Sequence, residues 1–141
     1  MLHQRAEEVT PTELGSPQFA ALIADMVETM YAANGVGIAA TQVGVGKRIF
    51  IAESAEGPIA LVNPVITRRS KKMLKDEEGC LSIPGEFDKV LRHKEIDVEA
   101  LTPTGEKVAF TARDFFARIL QHEIDHLEGL LYVDRVQEQR G

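Results

Sequence analysis

From Phe19 to Tyr31 the apolar residues Phe19, Leu22, Ile23, Met26, Val27, Met30 and Tyr31 recur at helical spacing, which predicts an amphipathic helix. Ser16-Pro17 supplies an N-cap followed by proline at the first helical position, and Asn34-Gly35 supplies the stop. Beyond it the pattern changes. Arg48-Ile-Phe-Ile-Ala52 and Ile59-Ala-Leu-Val-Asn63 are short β-rich runs separated by a Glu56-Gly57-Pro58 turn. Glu95 to Leu101 alternates, with Ile96, Val98 and Ala100 on one face, and Thr102-Pro-Thr-Gly105 turns the chain into Lys107-Val-Ala-Phe110. That pair predicts an antiparallel hairpin. A second helix is predicted from Arg113 to Glu128 on the stripe Phe115, Phe116, Ile119, Leu120 and Leu127, with Ile124 toward its flank and Gly129 at C′. Helix, hairpins, helix is an α+β order rather than an alternating βαβ one.

Composition narrows the class. The 141 residues, 44% of them hydrophobic, suit one domain with a proper core, expected over residues 1–141. Sixteen Lys and Arg against 22 Asp and Glu give a net charge of −6, spread along the chain. That balance argues against sequence-independent binding to nucleic acid or anionic lipid. No run approaches the roughly 18 apolar residues of a membrane span, and the N-terminus has no apolar secretion signal. The single cysteine, Cys80, excludes an internal disulfide and fits a reducing, cytoplasmic compartment.

Candidate chemistry concentrates in His122-Glu-Ile-Asp-His126. On a helix, residues i and i+4 share a face, so both imidazoles can reach one ion. Glu123 stands beside the first of them, where its carboxylate can take a proton from water activated by that ion. The bland alternative is a chance pattern on a surface, and the placement within an apolar helix weighs against it. A third ligand is needed. Tyr132 stands where a metzincin would have its third histidine, and Glu138 lies only 12 residues beyond His126. His93, His3 and Cys80 remain. Cys80 lies in Glu77-Glu-Gly-Cys-Leu-Ser-Ile-Pro-Gly85, which reads as a loop with a short extended piece. A lone cysteine is most often a buried core thiol, but a preceding glycine and polar neighbours favour Cys80 as the third ligand. The fourth position is then open, as in catalytic sites.

Gly35-Val-Gly-Ile-Ala-Ala-Thr-Gln-Val-Gly44 matches a dinucleotide fingerprint only superficially, because it follows a helix and leads into strands. Nor is it a P-loop: Gly46-Lys47 lacks the required upstream glycine and the following Ser or Thr. Gln42 is the one side chain in the run with both donor and acceptor, and on this segment alone it reads as a solvated loop residue.

Taken together, Gly35-Val-Gly-Ile-Ala-Ala-Thr-Gln42, Glu78-Gly-Cys-Leu-Ser82 and His122-Glu-Ile-Asp-His126 resemble the three signature motifs of the peptide deformylases, complete and in order. Asn63-Pro64, Ile83-Pro84-Gly85, Val90-x-Arg92 and Gln121 also resemble family features, so the likeness covers nearly the whole chain. The resemblance implies antiparallel sheets packed around a central helix that carries the HExxH motif. It implies a hydrolase that removes the formyl group from N-formylmethionyl polypeptides and releases formate. Cys80, His122 and His126 would be the metal ligands, and Glu123 the general base and then acid. Gln42 and the backbone N–H of Leu81 would hold the formyl oxygen. Val36, Gly37 and Gly79 would bind the extended peptide backbone, and the methionine side chain would enter a pocket near Val36, Ile119 and His122, with Phe115 and Arg118 facing the same region. Glu78 and Asp125 are candidates to fix an imidazole tautomer, with Arg92 as countercharge. The family works characteristically with Fe²⁺ and tolerates Zn²⁺, Ni²⁺ or Co²⁺, and one thiolate with two imidazoles suits several of these.

Family members usually begin with an extra strand and turn, which this chain lacks, so a sheet edge is expected to be unpaired or covered otherwise. A basic C-terminal helix for ribosome docking is also missing, so any ribosome association is expected to be transient. Two rival classes are a zincin-type metalloprotease and a catalytically silent metal- or peptide-binding relative. The first lacks a histidine at 132, and the second would not need Glu123 or Gln42.

Overall fold

The structure is a computed structural model that describes residues 5–80 and 83–129, with side chains described outside 76–80 and 83–89. Its elements run α1 (Pro17–Ala32), β1 (Gly37–Ala39), a single 3₁₀ turn (Ala40–Val43), β2 (Ile49–Ser54), β3 (Gly57–Arg69), β4 (Met73–Cys80), β5 (Ile83–His93), β6 (Glu95–Leu101), β7 (Lys107–Arg113) and α2 (Asp114–Leu127). Among the described residues β1-β2-β3-β6-β7 form one antiparallel sheet in that order, and β4-β5 form a separate two-stranded ribbon. The expected α+β class holds.

Both helices start and stop as their sequences predict. Ser16 Oγ accepts the Phe19 N–H at 3.1 Å, and at the far end Asn34 adopts φ 55° while the Gly35 N–H reaches the Met30 carbonyl at 2.9 Å. That pairing satisfies a carbonyl the helix would otherwise leave open. At the other helix, β7 passes into α2 with no intervening loop. Asp114, at φ 55°, makes the corner and donates its N–H to the Lys94 carbonyl at 2.8 Å. Aspartate tolerates this left-handed conformation better than most residues.

The large sheet is buried on both faces where it carries β1 and β2. Ile49, Ile51 and Val62 pack with Met26 and Met30 of α1, whereas Phe50, Ala52 and Leu61 pack with Leu120, Ile124 and Leu127 of α2. Strand residues alternate between faces, so a strand covered on both sides must be apolar throughout. This explains the unbroken run at Ile49–Ala52. β3 bends at Asn63, which takes φ 49° where its register with β6 shifts. The Asn63 carboxamide bonds the Val9 N–H at 2.8 Å and its carbonyl at 3.0 Å, tying the N-terminal segment to the bulge. The same segment is held by Arg48 N–H to Glu7 O at 2.8 Å and Ala6 N–H to Leu127 O at 2.7 Å.

One expectation is corrected here. The segment Glu77–Gly85 reads from sequence as a loop with a short extended piece; the extended part is much longer, since Met73–Cys80 and Ile83–His93 are paired strands, with Glu77 opposite Lys89 and Gly79 opposite Phe87. A two-stranded ribbon satisfies its ladder by mutual backbone pairing and needs no apolar alternation. The charged run Lys75-Asp-Glu-Glu78 therefore carries no period by which the strand could be read.

Candidate active site

Helix α2 passes through the middle of the molecule with its side chains buried from Ala117 to Leu127 apart from the half-buried His122, and the buried ones include Arg118, Gln121, Glu123, Asp125 and His126. Polar groups are that costly to bury unless each has a partner. Three of them bond to the β4–β5 ribbon along one stripe of the helix. Arg118 Nη1 donates to the Val90 carbonyl at 2.9 Å, and Nη2 donates to the Leu74 carbonyl at 2.5 Å. Gln121 accepts the His93 N–H at 2.9 Å and donates to the His93 carbonyl at 2.8 Å. Asp125 pairs with the buried guanidinium of Arg92. These three clamps fix the helix carrying both histidines against the ribbon that ends at Cys80.

On the neighbouring stripe the two imidazoles converge. His122 Nε2 and His126 Nε2 lie 3.2 Å apart, with the rings edge to face and centroids at 4.9 Å. Two nitrogens each about 2.0–2.1 Å from one tetrahedral ion stand about 3.3 Å apart. The pair therefore fits a shared metal. Among the described residues no group of three His, Cys, Asp or Glu side chains closes into a metal-holding set. Cys80 reaches the end of β4 by its backbone, but its side chain is outside the described residues, as is that of Glu78. Leu81, His3 and Glu138 lie outside them altogether, and Gly79 is placed by backbone alone. His93, the other candidate ligand, directs its ring Nδ1 to the Ser70 carbonyl at 2.7 Å.

Glu123 is 4% exposed, and its carboxylate lies against Gly37 of β1. Gln42, in the 3₁₀ turn just after β1, faces the Ala39 N–H at 2.9 Å. Because a backbone N–H can only donate, the atom facing it is Oε1, which fixes the orientation of the Gln42 amide. Gln42 is thus a held amide rather than a solvated one.

Val36 and Ile119 meet Phe115 and Phe116 in a hollow of about 530 Å³, rimmed by Glu53, Ser54, Ala55 and Glu56. Phe115 is 60% exposed and Val36 44%, and together they place apolar surface at the mouth of this hollow. Arg118 was expected to face this region; it turns to the ribbon instead, because its cation needs the two carbonyls there. The role of Arg118 as a ribbon clamp was not legible beforehand, whereas Arg92 stands as the countercharge of Asp125, as expected from the sequence. The available signal was polar residues at 118, 121 and 125, one stripe of a helix that is otherwise core.

A buried helix that presents two converging imidazoles and a carboxylate beside a fixed amide donor has the parts of a metal-dependent amide hydrolase. The family model for polypeptide deformylase matches residues 1–141. A peptide deformylase from Desulfitobacterium hafniense is 46% identical over 132 residues, which is 94% of this chain and 87% of that protein. Among solved structures, a class I type b peptide deformylase from Acinetobacter baumannii with Met-Ala-Ser bound superposes with a TM-score of 0.91 at 42% identity, covering 95% of this chain and 92% of that one. The peptide deformylase from Thermotoga maritima gives 0.91 at 40% identity, covering 95% and 89%. The chain belongs to the polypeptide deformylase family.

Proposed function

We propose that Cys80, His122 and His126 hold one divalent ion, Fe²⁺ ahead of Zn²⁺, Ni²⁺ or Co²⁺, in an enzyme that removes the formyl group from N-formylmethionyl polypeptides. The observation that carries the two histidine ligands is the 3.2 Å approach of their imidazole nitrogens on a buried helix, and Cys80 joins them on its place in the family's second motif. Such an ion, when bound, polarises the formyl carbonyl and supplies an activated water.

The protein's own groups do the rest. Glu123, buried beside the pair, accepts a proton as water adds to the formyl carbon and returns it to the departing amine, giving formate and a free N-terminus. The amide protons of Gln42, joined by the Leu81 N–H, donate to the formyl oxygen as negative charge develops. The peptide lies extended along β1, bonded to the backbone of Val36 and Gly37 on one side and Gly79 on the other. Its methionine side chain enters the hollow of Val36, Phe115 and Ile119. The Met-Ala-Ser held by the Acinetobacter relative is a peptide of the kind this reaction leaves.

All these parts belong to one catalytic domain, residues 1–141, and a thiolate ligand suits a reducing cytoplasm. Among the described residues no helix is long and apolar enough to cross a membrane. Any association with the ribosome is transient. The test is Glu123→Ala: metal content stays at one ion per chain while formate release falls by at least ~10²-fold. Robust release by that variant would remove Glu123 from its role.

A further inference from the structure

Gly37 is glycine for want of space rather than for backbone freedom. It sits inside β1, paired with Ala52, and is absent from the glycines with positive φ among the described residues, which are Gly15, Gly44, Gly57, Gly105 and Gly129. Any L residue could adopt its backbone. A Cβ at this position, however, would stand 2.6 Å from Glu123 Oε2, 3.0 Å from Cγ and 3.1 Å from Cδ. Carbon atoms in contact prefer about 3.5–4.0 Å, so a single methyl group would collide with the whole end of that side chain. Both partners are held. Gly37 lies in the ladder with β2, and Glu123 is 4% exposed on a helix clamped to the ribbon by Arg118, Gln121 and Asp125.

We propose that Gly37 is a positioning residue: its bare Cα is the seat of the Glu123 carboxylate, and its missing side chain sets where the proton carrier stands. The inference rests on Glu123 as that carrier, but the seat itself is a steric fact that can be tested without turnover. A methyl group at 37 displaces the carboxylate by about 1 Å, and misplacement on that scale costs on the order of 10²-fold in rate. The loss falls on kcat, since the backbone N–H and C=O at 37 remain for peptide binding.

The experiment is a cycle of Gly37→Ala, Glu123→Ala and the double variant, read by kcat and KM for a formyl-Met peptide, by metal content, and by thermal unfolding. Gly37→Ala is expected to lower kcat about 10²-fold with KM within a few-fold and metal retained. It is also expected to lower Tm in the Glu123 background, yet to leave Tm unchanged in the Glu123→Ala background, where nothing remains to collide with. If Gly37→Ala fails to fold, the double variant should still fold. A rise in KM with kcat unchanged would overturn the proposal in favour of peptide contact. So would an equal Tm loss in both backgrounds, or a double variant that also fails to fold. If Glu123→Ala proves fully active, the unfolding arm still reports on the seat.

Discussion

The Arg92–Asp125 pair is the most exacting point in the packing of α2. Arg92 is 4% exposed and Asp125 6%, so neither charge has water to fall back on. Arg92→Met keeps most of the side-chain volume but leaves a buried carboxylate without its guanidinium. Breaking a buried pair in this way costs about 3–5 kcal/mol. At an unfolding entropy of about 2.1 cal/mol/K per residue, the 141-residue chain should lose roughly 10–17 °C in Tm. Arg92→Met with Asp125→Leu removes both charges together and should recover most of that loss, ending within about 1–2 kcal/mol of the parent. Urea unfolding at fixed metal loading checks this, with the midpoint moving and the slope unchanged. A loss below about 1 kcal/mol for Arg92→Met, or a double variant as unstable as the sum of its singles, would refute the reasoning.

Three further outcomes follow from other parts of the molecule. Arg68 and the Thr111 hydroxyl both bond Asp97 and hold its carboxyl below the usual carboxylate range; a depressed folded value means stability present above the unfolded pKa and lost as pH falls through the folded one. The Tm gap between the parent and Arg68→Gln should therefore be full near neutrality and close on acidification below pH ~4, and a gap that persists or widens there would contradict the assignment. Cys80→Ser should sharply weaken metal retention against a chelator, and an unchanged metal content would remove Cys80 from the ligand set. Gln42→Leu should cut kcat by about 10²–10³-fold with little change in metal content, and an unaffected kcat would return Gln42 to a purely structural role in the 3₁₀ turn.

Periodic, capped segments were readable before any coordinates. Helix α1 with its Ser16 cap, the β2–β3 and β6–β7 hairpins, and α2 with its paired histidines all announce themselves through apolar spacing or turn residues. What was hidden has one physical cause: it depends on partners distant in sequence. β1 is three residues long and exists because β2 lies beside it. The β4–β5 ribbon is held by its own ladder and by side chains from α2, so its charged sequence shows no alternation. Arg118 is the clearest case, since helical spacing aims it at the apolar hollow while two backbone carbonyls draw it to the ribbon. Gln42 is the converse, a residue that reads as solvated until the Ala39 N–H fixes the orientation of its amide.

This clamped helix serves deformylation rather than cleavage within peptides. Protein prepared without oxygen and loaded with one Fe²⁺ per chain, given a formyl-Met-Ala peptide, should release formate in step with new free amine, and should leave the unformylated peptide intact. Internal cleavage of the unformylated peptide, with no formate from the formylated one, would make the protein a protease instead.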